Sequence, residues 1–140
     1  MKIEIFDVDH GQCIVVTGVN GKMMMIDCGS LDRDGRYWWP SIAYFGKRFE
    51  TLALTNLDED HVDDFPGMQQ RTTWGSIASN PSVGARELSA MKPEMWAGVQ
   101  GVADWLALPR SPVNTPLDLA GIKVRYYRSE ERRVGKECRL

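Results

Sequence analysis

Acidic side chains and a histidine are concentrated in residues 58–64, directly after the apolar run of residues 50–55. Oxygen donors and an imidazole at the edge of a strand are the ligands that a divalent cation needs. Asp58 and Asp60 are two residues apart, so in extended backbone they would point the same way, and His61 follows where a turn can bring it round. This geometry predicts one metal, or two sharing a carboxylate. By residue type alone, a solvated loop or a helix N-terminus is the commoner explanation of an acidic run.

The elements that must position this segment begin with three predicted strands. Residues 2–8 alternate polar and apolar side chains for most of their length, as a strand with one buried face does. Residues 13–17 and 23–26 are apolar and flank an Asn-Gly turn, which predicts a hairpin and therefore an antiparallel meander. Asp27 then emerges at the C-terminal end of the third strand.

The rest of the chain predicts alternating helices and strands. In order, we expect a loop at 31–37, a short helix within 38–49 beginning near Pro40, a strand at 50–55, a strand at 73–78, two helices within 83–108 broken near Pro93 or at Gly98 and Gly101, a Pro-rich connector at 110–116 and a last strand at 121–127. The Met and Trp side chains of the helical region recur at spacings of three and four, which indicates a core face.

The composition limits the classes of protein to which this chain can belong. The chain has 140 residues, is 43% hydrophobic and has a net charge of −2, which predicts one domain and no basic surface for nucleic acid. No apolar run is long enough for a membrane span and no secretory signal is evident, so we expect a cytoplasmic protein. The odd count of three cysteines argues against a disulfide framework, and buried reduced thiols are expected at Cys13 and Cys28.

The end of the chain differs from the rest. Residues 128–140 contain eight charged side chains and few apolar ones. Their sequence resembles the charged tails that occur on unrelated proteins where a reading frame continues into foreign DNA. We therefore expect residues 1–127 to form the N-terminal half of a domain, and residues 128–140 to be a non-native tail.

The order of residues after the fourth predicted strand resembles the metallo-β-lactamase superfamily. The family pattern is Thr-His-x-His-x-Asp-His, and Thr55, Asp60 and His61 match it, whereas Asn56 and Asp58 stand where its first two histidines would be. Upstream, the Asp-Val-Asp-His-Gly-Gln-Cys segment at residues 7–13 and the Ile-Asp-Cys-Gly segment at 26–29 look like the opening meander of the branch found in the hydrolase domain of the competence protein ComEC. The matches cover about residues 3–68.

The resemblance implies a role for each matching position. Asp60 and His61 would be metal ligands, and Asp60 would also hold or deprotonate the attacking water. Asp58 would replace a histidine ligand with a carboxylate, and Asn56 would be a weak neutral ligand, which shifts the expected cation from zinc towards manganese or magnesium. Asp27 would be a buried carboxylate that orients a ligand, although a turn residue at a strand end is the alternative. His10 lies in a loop at the same edge and is left out of the ligand set.

The implied fold is α/β (α+β): a metallo-β-lactamase-type αββα sandwich, truncated to about one β-sheet with flanking helices. The implied parent is a metal-dependent hydrolase acting on a phosphodiester or related ester, with nucleic acid as a substrate unsupported by charge. No histidine follows His61, so the family's later ligands are absent and we expect weak metal binding and little activity from this chain. A non-catalytic scaffold or interaction module that kept the fold is the alternative.

Overall fold

The computed structural model describes residues 1–109 and the backbone of residues 118–119 and 122–123. The strands are β1 (Lys2–Ile5), β2 (Ile14–Thr17), β3 (Met23–Ile26), β4 (Leu31–Arg33), β5 (Arg36–Trp38), β6 (Arg48–Ala53), β7 (Thr73–Ala78), β8 (Asp118–Leu119) and β9 (Ile122–Lys123). The helices are α1 (Pro40–Ala43), α2 (Glu59–Val62), α3 (Phe65–Arg71), α4 (Ala85–Met91) and α5 (Ala97–Leu106).

Five strands form one mixed sheet in the order β1-β2-β3-β6-β7. The first three pair antiparallel, which confirms the predicted meander, and β6 then adds parallel to β3, with β7 parallel to β6. Since β3 and β6 run in the same direction, their C-terminal ends meet at one edge of the sheet. The residues that follow these two strands are thereby placed side by side.

One face of the sheet carries the helices. A row of cross-strand partners, Val15, Met25, Leu52 and Ile77, is at most 1% exposed. Because side chains alternate between faces along a strand, this row needs only every second residue to be apolar. Buried side chains from α2 to α5 complete the same cluster: Val62, Phe65, Met68, Leu88, Val99, Val102 and Ala103. The chain is thus a mixed α/β structure with a helix-covered five-stranded sheet.

The predicted loop at residues 31–37 is instead a hairpin of β4 and β5. Its turn is Asp34-Gly35, and both residues have positive φ (53° and 76°). An Asp-Gly pair is a strong hairpin signal because both positions of the tight turn need the left-handed region. The prediction was wrong because the flanking residues are charged, which hid two very short strands.

The helices were predicted unevenly. A break at residues 92–96 separates α4 from α5, as the sequence indicated near Pro93, and glycines 98 and 101 lie inside α5. The helix expected near Pro40 begins there but spans only four residues. Residues 59–62 form α2, so the acidic run does begin a helix, which was one of the explanations left open, whereas α3 at residues 65–71 was not predicted.

The strands of the sheet lie close to their predicted positions. β7 has the predicted bounds, β6 begins and ends two residues earlier than expected, and β1 ends at Ile5 because Asp9, with a φ of 60°, turns the chain. Of the predicted last strand only Ile122–Lys123 is described, while the connector at 110–116 and the tail at 128–140 lie outside the described residues. Among residues 1–109, no helix combines the length and the hydropathy that crossing a membrane requires.

Candidate functional site at the C-terminal edge of β3 and β6

A buried aspartate joins the two central strands at their C-terminal ends. Asp27, directly after β3, is fully buried, and its carboxylate accepts hydrogen bonds from the backbone N–H and the hydroxyl of Thr55, with 2.7 Å between Thr55 N and Oδ1. His61 Nδ1 lies 2.8 Å from Oδ2 of the same carboxylate. A carboxylate accepts hydrogen bonds and donates none, so Nδ1 carries the hydrogen and Nε2 is left with a free lone pair whenever the ring is neutral.

The backbone of Asp27 is in the left-handed region, with a φ of 56°. Aspartate visits this region more readily than most residues, but it still costs roughly 1–2 kcal/mol relative to ordinary backbone. Its N–H donates to the carbonyl of Ala53 at 2.7 Å, which ties it to the end of β6. Strained backbone of this kind concentrates at functional sites, where surrounding contacts hold it in place.

Two glycines let the segment at residues 58–61 lie directly against the meander. A Cβ added at Gly11 would lie 2.0 Å from the carbonyl oxygen of Asp60, and one at Gly29 would lie 2.4 Å from the same oxygen. The N–H of Cys28 donates to the carbonyl of His61 at 2.9 Å. The glycines of the two upstream motifs therefore position the backbone that carries the imidazole.

Asp60 and His61 are the pair that faces outward. The nearest approach is 4.0 Å between His61 Nε2 and Asp60 Oδ1, with 17% of the histidine side chain and 47% of the aspartate side chain exposed. Among the described residues, none donates a hydrogen bond to the Asp60 carboxylate. This pair thus presents one nitrogen and one carboxylate to a ligand.

Asp58 and Asn56 make contacts other than with this pair, although Asp58 is near enough to His61 for their charges to interact. Asp58 is the N-cap residue of α2, so residues 59–62 are helical and the extended-backbone argument that aligned Asp58 with Asp60 is wrong. The side-chain oxygen of Asn56 accepts a hydrogen bond from the N–H of Asp58 at 3.0 Å. The Asp58 carboxylate pairs with the ammonium group of Lys92, and this hydrogen bond lowers the pKa of Asp58.

The other carboxylates of the segment have structural partners. Glu59 accepts hydrogen bonds from the N–H groups of Gly98 and Val99 at 2.8 and 2.9 Å, and so caps the N-terminus of α5. Asp63 accepts from the N–H and hydroxyl of Ser30 at 2.8 and 2.7 Å.

Asp64 makes the equivalent contacts with Ser41, whose N–H and hydroxyl donate at 2.7 and 3.0 Å. Burial raises the pKa of both Asp63 and Asp64, although the serine hydrogen bonds oppose that shift. These two carboxylates therefore hold the segment to the start of β4 and to α1.

The remaining candidate residues are one histidine and two cysteines, and among the described residues their side chains take no part in this group of contacts. His10 has 87% of its side chain exposed and approaches only Asp9, at 3.9 Å. Cys13 and Cys28 are buried free thiols, as predicted, and desolvation raises the pKa of each.

The fit of this site to a divalent cation is partial. Among the described residues no three His, Cys, Asp or Glu side chains are arranged to hold a metal ion. Two ligands of one zinc ion lie about 3.3–3.5 Å apart, so His61 Nε2 and Asp60 could share a cation after a small rotation of the exposed Asp60 side chain. A metal-binding histidine usually donates its other ring N–H to a carboxylate, and Asp27 is placed to be that carboxylate. The ligand roles of all four predicted residues, Asn56, Asp58, Asp60 and His61, stay predictions.

No protein-family model matches this chain, and no curated protein or solved structure matches it significantly.

Proposed function

We propose that this chain carries the first metal-binding segment of a metal-dependent hydrolase of the metallo-β-lactamase type. The observation that carries the proposal is the hydrogen bond from His61 Nδ1 to the buried carboxylate of Asp27. It orients the ring, fixes the tautomer and leaves Nε2 directed towards Asp60 at the sheet edge. The helix-covered mixed sheet is compatible with one half of the αββα sandwich that this proposal implies.

His61, Asp27 and Asp60 have different roles in the proposed reaction. His61 offers Nε2 to the cation, and the hydrogen bond to Asp27 places the hydrogen of the neutral ring on Nδ1. Asp60 offers a carboxylate oxygen and holds or deprotonates the attacking water. A divalent cation held by these residues, zinc or else manganese or magnesium, would lower the pKa of a bound water and polarise the scissile bond.

The proposed substrate is a phosphodiester or related ester. This substrate class rests on the resemblance of the motifs and has no support from surface charge, since the chain is mildly acidic. Because no three His, Cys, Asp or Glu side chains among the described residues are arranged to hold a metal ion, and catalytic zinc sites have three protein ligands, we expect this chain to bind metal weakly and to turn over little substrate.

Titration of the full chain with Mn²⁺ and with Zn²⁺ tests the proposal. Wild type should bind one equivalent in the submillimolar to millimolar range, and His61→Gln and Asp60→Asn should lose that binding. His10→Gln should behave as wild type because the His10 side chain is 87% exposed and, in the described part of the chain, its recorded partner is Asp9. Equal affinities for His61→Gln and His10→Gln would refute the assignment, and tight micromolar binding or robust diesterase turnover would contradict the expected weakness.

A second candidate function, a non-catalytic scaffold, is favoured by a different observation. Two predicted donors already have protein partners: Asp58 binds Lys92, and Asn56 accepts a hydrogen bond from the N–H of Asp58. The neighbouring Glu59 caps α5. A scaffold would use these contacts for stability alone. It predicts no saturable metal binding by wild type or by any of the variants, whereas Asp27→Asn would still destabilise the fold.

A further inference from the structure

β1 forms one edge of the five-stranded sheet, and no other strand of the described residues lies on its outer side. Its side chains Ile3 and Ile5 are 54% and 76% exposed. An edge strand with apolar side chains can pair with a strand of another chain. We propose that a second copy of this chain binds at this edge, with the two β1 strands antiparallel about a two-fold axis at Ile3, so that two sheets become one.

The backbone groups that the new pairing needs point away from β2. The N–H of Phe6 donates to the carbonyl of Cys13 at 3.1 Å, so the backbone polar groups of Phe6 face β2. These groups alternate in direction along an antiparallel strand, so those of Glu4 also face β2, whereas those of Ile3 and Ile5 face outward. A second copy can therefore place its own Ile3 opposite this one, and the two residues exchange both hydrogen bonds.

Side-chain charge selects this register among those that the backbone permits. With Ile3 opposite Ile3, Lys2 of each copy lies opposite Glu4 of the other, and Ile5 lies opposite Met1. The next register in one direction places Glu4 opposite Glu4, and the next in the other direction places Lys2 opposite Lys2. Opposite charges across two strands stabilise the pair and like charges destabilise it, so the axis at Ile3 is favoured.

The two charged side chains of β1 lie on the face of the sheet that carries the helices. The hydroxyl of Tyr44 donates to Glu4 Oε2 at 3.3 Å. Lys2 Nζ lies 2.8 Å from Glu4 Oε1 in the same strand, with 68% and 31% of the two side chains exposed. In the pair, the four charges would alternate in sign around the axis. Each would then have an opposite charge along its own strand and another across the new ladder.

On the opposite face, a buried apolar row ends at this edge. Ile3 is aligned with Val16 of β2, which is aligned in turn with Met24 of β3. Val16 and Met24 are 9% and 4% exposed, whereas Ile3 is 54% exposed. The second copy would continue this row with its own Ile3, so the pairing would cover apolar surface on one face and match charges on the other.

The interface is short, which limits the affinity. β1 has four residues, and interfaces that bury less than about 1,200 Å² belong to weak or transient complexes. We expect a dissociation constant between about 10 μM and 1 mM. The contacts use no residue of the proposed metal segment, so dimerisation and metal binding are separate properties.

The test exchanges the two charges and measures the oligomeric state of the full chain by sedimentation equilibrium, at chain concentrations that span about 10 μM to 1 mM. Lys2→Glu and Glu4→Lys each put like charges opposite each other at both symmetry-related positions, and each should weaken the dimer by about tenfold or more. The double variant Lys2→Glu/Glu4→Lys restores opposite charges and should dimerise as wild type does. An equimolar mixture of the two single variants also restores them, and it should form a heterodimer.

Matched controls separate pairing at β1 from a general effect of charge. Lys22→Glu, in the turn between β2 and β3, makes the same change of charge as Lys2→Glu, and Glu94→Lys, between α4 and α5, makes the same change as Glu4→Lys. Both side chains belong to exposed residues. Each control should dimerise as wild type does.

Three results would overturn the proposal. The first is a wild-type chain that stays monomeric over the whole range of concentrations. The second is a dimer that Lys2→Glu and Glu4→Lys weaken no more than their controls do, which would place the contact on another surface. The third is a loss in both single variants that neither the double variant nor the mixture recovers, because the two charges then do not face each other across the axis.

Discussion

Replacement of Asp27 by asparagine should change the tautomer of His61 with only a modest loss of stability. Asparagine has the same shape and tolerates the left-handed backbone that Asp27 adopts. Its amide oxygen can still accept from the N–H of Thr55, but its NH₂ group would face His61 Nδ1. That nitrogen must then accept a hydrogen bond, so the hydrogen of the neutral ring moves to Nε2.

The magnitudes decide which substitution at position 27 is informative. Asp27→Ala removes the acceptor of three hydrogen bonds, two from Thr55 and one from His61. Because bonds to charged groups contribute about 1.5–3 kcal/mol each, and Thr55 is partly solvated, the cost should be about 3–5 kcal/mol. That is a large part of the 5–15 kcal/mol stability typical of a domain of this size. Asp27→Asn keeps one bond and should cost about 1–2 kcal/mol.

The assay is long-range ¹H–¹⁵N NMR of the imidazole ring at alkaline pH. The chain has only two histidines, so a His10→Gln background leaves His61 as the single imidazole signal. Without the substitution at position 27 we expect hydrogen on Nδ1, and in Asp27→Asn we expect it on Nε2. Metal affinity should fall by about 10- to 100-fold in Asp27→Asn, as it does when a carboxylate behind a metal-binding histidine is removed.

Two results would refute this reasoning. A ring that carries hydrogen on Nε2 before any substitution at position 27 would mean that the carboxylate does not fix the tautomer. If Asp27→Asn leaves the tautomer unchanged, and chemical denaturation shows that the variant is still folded, then another group orients the ring.

The other predictions concern the packing and titration of the same edge. Gly29→Ala should lower the free energy of unfolding by about 1–3 kcal/mol, measured by denaturant unfolding, and should shift the His61 signal, because the added methyl group meets a backbone carbonyl. Gly21→Ala, a control in open space with a φ of 79°, should destabilise by about 1–2 kcal/mol through backbone strain and leave that signal unchanged. The raised pKa of Asp64 means that the folded state keeps a proton that the unfolded state releases above the ordinary value of 3.8, so this residue contributes stability below pH 3.8 that is lost as pH rises through its folded pKa. Between pH 3.8 and the folded-state pKa of Asp64, the free energy of unfolding should fall less steeply with rising pH in Asp64→Asn than in the unsubstituted protein. Identical slopes would contradict the conclusion that burial raises the pKa of Asp64.

The meander, β7 and the two later helices followed from the sequence because apolar periodicity over four or more residues reports a buried face. The β4–β5 hairpin and α2 did not follow from it, since elements of three or four residues contain too few positions for a period to emerge. Asp34-Gly35 was the available signal for the hairpin. For α3, Pro66 at the first turn was a signal that a helix began near residue 65.

The contacts of the candidate site could be predicted where the residues belong to short sequence motifs. They could not be predicted where the two partners are far apart in the sequence. The role of Asp27 beside a ligand came from the resemblance, and the structure pairs it with His61. Lys92 could not be predicted, because nothing in the local sequence connects it to a carboxylate 34 residues earlier. The capping role of Glu59 has one indirect indication. The N-cap residue of α5 is Trp96, whose side chain has no hydrogen-bond acceptor, so the acceptor for the first N–H groups of this helix must come from another part of the chain.

The distribution of partners explains how so acidic a segment can fold despite the repulsion between its carboxylates. Each carboxylate that could add to the repulsion has its own donors: Glu59 has the N-terminus of α5, Asp63 and Asp64 each have a serine, and Asp58 has Lys92. Hydrogen bonds and opposite charges stabilise these groups locally, so they do not require a common cation. Asp60 is the exception, because the one ion-pair partner recorded for its carboxylate in the described part of the chain is the imidazole of His61, 4.0 Å away, and that ring is already hydrogen-bonded to Asp27. If the segment binds a metal, the free energy of binding must therefore come first from Asp60 and His61, and substitution of the other acidic residues should affect stability more than metal affinity.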